Sequence, residues 1–300
     1  MKKLVALFLL STCPAFADGV CEYNRIANEL RNNCSGINKE LQEIKNYSIA
    51  NTVVTGVGTV AAGGALYAGI KKKDLDKKAE ELAKELDNIS DMSDEDFIKF
   101  LKAMANYEEL RSEYNAMCKE KHDLQAEAKK LGNIRTGLMA GNTATAIAGT
   151  ILSSKNKEDA ASIGDMIQQC LDTIQKNEHA IGQMYFDCDG FMVEKIKKAV
   201  GVCSSMNTNN MQDVVKHNQI STVVSGINIG TGAAGTITSA MGNSTKYDEK
   251  HKNLNTAANI LAGTSMVASG VSTIFNATTI KSINYNIEMS AKCEEAIDTL

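Results

Sequence analysis

The sequence predicts an all-α fold: an elongated bundle of long helices and antiparallel helical hairpins with small-residue packing faces. Three observations predict it. The only proline, Pro14, lies close to the N-terminus, so nothing later in the chain breaks a helix by removing an N–H. Apolar residues recur at three/four spacing, and no run alternates with the period of two that marks a strand. Four uncharged stretches, Thr52 to Ile70, Thr136 to Ser154, Ile220 to Gly242 and Leu254 to Ile280, are rich in Gly, Ala, Ser, Thr and Val. Such a composition suits helices whose backbones approach closely.

Taken in order, residues 1–17 read as a signal peptide. Lys2 and Lys3 precede an apolar Leu4 to Leu10 run, and Ala15-Phe16-Ala17 is a cleavage signal that leaves Asp18 as the first mature residue. The short leader with paired lysines is of bacterial type. A lipoprotein reading at Cys13 is disfavoured by the bulk of Thr12 and by the following Pro14. Residues 18–157 form an N-terminal helical region with two small-residue stretches, and 158–300 a C-terminal region with a small-residue hairpin. Tyr23, Ala27, Leu30, Cys34, Ile37, Leu41 and Ile44 make one helical seam. Further seams run from Leu110 through Lys121 to Leu131, from Ile163 through Cys170 and Asn177 to Met184, and through Met192, Ile196, Ala199, Cys203 and Met206. Ser93 with Asp96 resembles a capping box, Gly190 suits a left-handed helix stop, and Gly242 to Lys246 a turn.

Within the uncharged stretches, Gly56 and Gly63, Gly137 and Gly141, Gly226 and Gly230, and Ala262 and Ser269 each recur at helical spacing. They are the expected close-packing faces, a glycine-zipper arrangement, because the helix penalty of glycine, about 1 kcal/mol, is tolerated where two backbones meet.

Cysteine carries the strongest long-range signal. Besides Cys13 the chain has seven, an odd number, and an exported protein is expected to pair them. Pairing the first two uncharged stretches antiparallel centres that hairpin near residue 102, midway between Cys34 and Cys170. The last hairpin centres near residue 248, midway between Cys203 and Cys293. Cys21 with Cys188 follows by elimination, and Cys118, alone at the far side, is the free thiol.

Catalytic signals are weak. Gly56 to Ala61 and Gly230 to Gly235 match a dinucleotide fingerprint but lack the preceding strand that gives the motif its function. His122, His179, His217 and His251 have no partner at ligand spacing. Asp187 and Asp189 begin no calcium loop, and Ser154 with Lys157 lacks companion motifs. No enzyme, cofactor or metal is expected, and a mildly acidic chain without a basic block gives no footprint for nucleic acid.

The expected function is that of a non-enzymatic exported envelope or secreted protein, periplasmic in location, acting by self-association or by binding another envelope protein. The alternative is a membrane-inserting or pore-forming-type protein using its glycine-rich hairpins. In the membrane version Lys71 to Lys73, Lys129, Lys130 and Arg135 flank the spans on the cytoplasmic side. The abundance of Thr, Ser and Asn, with marginal hydropathy and no aromatic belts, favours the soluble or reversibly inserting form.

Overall fold

The computed structural model describes residues 21–90, 96, 99, 102, 108–244 and 249–300. The leader and Ser93 lie outside these residues. Among the described residues every regular element is a helix: α1 Tyr23–Cys34, α2 Ile37–Ser90, α3 Glu108–Asp187, α4 Gly190–Cys203, α5 Thr208–Ser244 and α6 Glu249–Asp298. The all-α expectation holds.

Two helix boundaries differ from the expected ones. The first seam is not one helix, because Ser35 turns extended and Gly36 takes φ 81°, the left-handed region that glycine enters without a Cβ clash. Glu294 of α6 accepts from the backbone N–H groups of Gly36 and Asn38, which places a carboxylate at the start of α2. Gly190 is no left-handed cap. It opens α4, and Asp189 is the N-cap, its side chain accepting from Phe191 N at 2.7 Å. Gly242 to Ser244 belong to α5 rather than to the expected turn, and Thr245 and Lys246 lie outside the described residues.

The chain divides into two compact units that do not follow the 18–157 and 158–300 division. The first contains residues up to Tyr47, Lys155–Lys216 and Thr278–Leu300; the second contains Ser48–Ser154 and His217–Ala277. Helices α2, α3, α5 and α6 contribute to both, which is why a cut in the sequence does not find them.

The first unit has an apolar core of Ile26, Leu30, Ile37, Leu41, Ile44, Ile163, Ile167, Met184 and Ile196. The short α4 presents Val193 rather than Met192, which is exposed. Three disulfides tie this core: Cys21–Cys188, Cys34–Cys170 and Cys203–Cys293, while Cys118 is free and exposed. All three pairs are those expected from the hairpin centres and from elimination. At the chain end, the Tyr23 hydroxyl donates to the Leu300 carbonyl at 2.6 Å. Asn177, the polar position in its seam, is buried and donates to Glu29 while accepting from Arg25.

In the second unit four helices pack antiparallel in sequence order. Asn51 meets Ser153, and Gly58 lies against Thr145, pairs symmetric about residue 102. Ser221 meets Ser272, and Gly242 lies against Leu254, pairs symmetric about residues 246 to 248. Buried positions on α2 include Ser48, Asn51, Thr55, Gly58, Ala62, Ala65, Gly69 and Lys72, which alternate by three and four, with Ala68 buried beside them. Such a seven-residue repeat keeps one stripe of a helix against its neighbours over many turns.

Candidate functional site

The interior of the second unit is polar where a water-soluble bundle is apolar. Ser48, Asn51, Asn142, Ser153, Asn218, Ser221, Ser239 and Ser265 are all fully buried. A buried amide or hydroxyl is stable only when its hydrogen bonds are remade inside, and here they cross between helices. In one layer Asn51 Nδ2 donates to Ser153 Oγ at 2.7 Å and to Asn276 Oδ1 at 3.0 Å, Ser153 donates to Ser221, and Ser221 meets Ser272 at 2.6 Å. In the next, Asn142 Nδ2 donates to Asn228 Oδ1 at 2.9 Å, Asn228 Nδ2 to Ser269 Oγ at 2.6 Å, and Ser269 back to Asn142 Oδ1 at 3.1 Å. One apolar layer follows, of Ala65, Met139 and Ala262.

Past that layer the uncharged stretches end in a buried charged clasp. Arg135 is fully buried, and its guanidinium donates to Ser239 Oγ at 2.8 Å, Asn255 Oδ1 at 2.7 Å and Asn259 Oδ1 at 3.1 Å. Burial lowers its pKa to about 10, which leaves it charged at neutral pH. Beside it, Lys72 Nζ lies 2.6 Å from Asp76 Oδ2, and His251 Nε2 lies 3.1 Å from each of those atoms. Burial pulls the Lys72 ammonium below the usual lysine range, with Asp76 partly offsetting it. Burial pushes the Asp76 carboxyl up, but hydrogen bonds from His251 and Lys72 outweigh that and hold it below the usual carboxylate range.

Because the folded-state value of Asp76 lies below its unfolded one, the stability this gives is fully present above the ordinary carboxylate range and is lost as pH falls from there through the lowered folded-state value. Asp76→Asn is expected to cost about 1.5 to 3 kcal/mol at pH 7, the range for hydrogen bonds to charged groups. Thermal melts of parent and variant should converge on acidification from pH 5 to pH 2.5. A gap that persists at the acid end contradicts this assignment.

The expected packing glycines are mostly not packed. A Cβ on Gly56, Gly137, Gly141, Gly226 or Gly230 would meet nothing within 4 Å; Gly63 lies against Met266, and Ala262 and Ser269 are buried. The glycines that admit the closest neighbours are Gly58, Gly69, Gly132, Gly232 and Gly235, and what they admit is mainly side chains. Gly69 and Gly132 leave room for the amides of Asn259 and Asn243, and Gly235 for the end of Met139. The faces shift because the buried stripe follows the phase of the Ile37, Leu41, Ile44 seam, and Gly56 lies one residue, about 100° of helix, off that phase.

Both dinucleotide-like matches lie within helices, Gly56 to Ala61 in α2 and Gly230 to Gly235 in α5, so neither forms a strand-to-helix turn. His122 and His179 are exposed, His217 packs on Phe275, and His251, read from sequence as isolated, belongs to the clasp. Lys72, Asp76 and Arg135 were not singled out as a group by sequence reasoning. An i,i+4 Lys-Asp pair on a seam phase was the available signal.

Comparison with family models, with curated proteins and with solved structures returns no match.

Proposed function

We propose that this chain is a non-enzymatic exported membrane protein. The uncharged stretches of its second unit lie in the bilayer, and it acts by helix–helix association there or by binding another envelope protein. The observation that carries the reading is the inverted burial of the second unit. Val60 is 76% exposed, Val267 67% and Ile151 64%, whereas Arg135, Asn142 and Ser153 are buried. In water each such exposed side chain forgoes on the order of 1.5 to 3 kcal/mol of burial free energy. Against lipid that cost vanishes, and interhelical polar contacts add cohesion.

The dimensions agree. On α2 the exposed apolar residues run from Ile49 to Ile70, about 32 Å of helix at 1.5 Å per residue, close to the ~30 Å hydrocarbon core. Among the described residues two helices, α2 and α6, contain windows long and apolar enough to cross a membrane. Lys71 to Lys73, Lys129, Lys130 and Arg135 stand at one end of the uncharged stretches; Lys45, Lys155, Lys157, Lys216 and Lys281 stand at the other. The larger basic cluster belongs on the cytoplasmic side. That assigns the segments carrying the six paired cysteines to the oxidising side and Cys118 to the reducing side, as disulfide chemistry requires. The outward pairs Gly137 with Gly141 and Gly226 with Gly230 leave open surface where a further helix can approach.

The test has two arms. In alkaline carbonate extraction of host membranes the protein should stay in the pellet, and in intact spheroplasts Cys118 should react with a membrane-permeant maleimide but not with an impermeant one. Release into the supernatant would restore the soluble bundle, and labelling of Cys118 from outside would reverse the orientation.

A further inference from the structure

Between α3 and α5, wholly inside the first unit, lies a cleft of about 490 Å³. Its floor is apolar: Ala160 and Met211 are buried, Val215 is half-buried, and Gly164 supplies no side chain. Its walls carry one charge of each sign, Asp165 on α3 and Lys216 on α5, both exposed. Neither makes an ion pair or a side-chain hydrogen bond among the described residues. We infer that this cleft binds a short apolar peptide with free termini, its ammonium on Asp165 and its carboxylate on Lys216.

Size, spacing and charge all fit such a ligand. A cleft of this volume, with an apolar floor and a few placed polar groups, has the make-up of a small-ligand site. It exists because α3 turns the small residues Ala160, Ala161 and Gly164 toward it, and a Cβ on Gly164 would sit 3.5 Å from the Met211 Cβ. That contact also sets the register. In antiparallel helices with Gly164 level with Met211, Asp165 and Lys216 stand six residues apart along the cleft, about 9 Å at 1.5 Å per residue. An extended chain spans roughly 3.3 to 3.6 Å per residue, so about three residues bring two terminal charges to that separation. A free amino acid is too short to reach both walls. A partner protein is too large, because within the first unit the walls run together only from Thr208 to Lys216, about 12 Å, far short of the ~800 Å² per partner of a stable protein interface. A fatty acid would answer Lys216 and leave Asp165 facing its own sign. Gln168 and Gln212 on the rim offer amide groups to the peptide backbone; Gln168 Nε2 already donates to Asp172 at 2.7 Å, which leaves its carbonyl for the ligand. The site belongs to the first unit and stands or falls independently of the membrane reading.

Titration calorimetry of the full chain in detergent with the tripeptide alanyl-leucyl-alanine tests this. The parent should bind it saturably. Asp165→Asn and Lys216→Gln should each raise Kd about tenfold or more, the loss of one charge-assisted contact. Both side chains are exposed, so the melts of these variants should match the parent. Acetylating the peptide's amine should weaken its binding to the parent by a similar factor and make binding indifferent to Asp165→Asn. Free leucine should bind about tenfold or more less tightly than the tripeptide, since it answers only one wall. No saturable binding to the parent, or a Kd unchanged in both variants, overturns the proposal. Acetylated peptide or free leucine bound as tightly as the tripeptide overturns it equally, and these two arms need no variant to fold.

Discussion

Cys203→Ser should destabilise the first unit by about 4 to 5 kcal/mol in the chain-entropy account, since Cys203–Cys293 closes a loop of 90 residues. The other two bridges are nested, with separations of 167 and 136 residues, so either one in the presence of the other closes a ring of only about 31 residues. Cys34→Ser alone is therefore expected to cost less, about 3 to 4 kcal/mol, and removal of both nested pairs considerably more than either alone. Denaturant unfolding followed by circular dichroism gives the ordering. Equal losses for Cys203→Ser and Cys34→Ser would show that the nested rings do not share their entropy. Cys118→Ser, at an exposed free thiol, should leave the midpoint unchanged.

Gly58→Leu should destabilise the second unit by roughly 3 kcal/mol or more, whereas Gly56→Leu, two residues away, should be nearly neutral. A Cβ on Gly58 would sit 2.6 Å from Thr145 Oγ1 and 3.1 Å from Asn142 Oδ1; on Gly56 it would meet nothing. A leucine at 58 overpacks the interior, at about 1 to 3 kcal/mol, and also pushes Asn142 out of its layer with Asn228 and Ser269, stranding buried polar atoms. Gly69→Ala is the smallest version of the same experiment. Its methyl carbon would fall 1.8 Å from Asn259 Oδ1, which accepts from Arg135, so one added carbon should cost about 1.5 to 3 kcal/mol. Thermal melts in which Gly56→Leu and Gly58→Leu lose stability equally would place the buried stripe elsewhere.

These two glycines show how far the sequence can be read. The seam Ile37, Leu41, Ile44, continued by sevens, passes through Asn51, Thr55, Gly58, Ala62 and Ala65, all buried. The phase was therefore legible. Choosing the face by small residues led instead to Gly56, because in these stretches Gly, Ala, Ser and Thr occur on every side of the helix. When composition is uniform around a helix, only continuity with an apolar seam tells inside from outside.

The clasp was less legible, for a different reason. Lys72 and His251 are each ordinary in their own segment, next to other charged residues, Arg135 stands at the border of an uncharged stretch, and no local spacing relates position 72 to 251. Their burial depends on which turn of α6 faces which turn of α2, and that is a property of four helices in register.

What the sequence by itself determined is the helical class, the antiparallel pairing and the identity of all three disulfides. Each follows from quantities carried along the chain: the absence of proline breakers, a hydrophobic repeat and equal distances from a hairpin centre. Only the tertiary structure decided that the second unit is polar within and apolar without, and that Arg135 and Lys72 lie inside it. Burial is set by the summed neighbours of a residue, and Asn, Ser and Thr at seam positions become interior when partners on three other helices complete their hydrogen bonds.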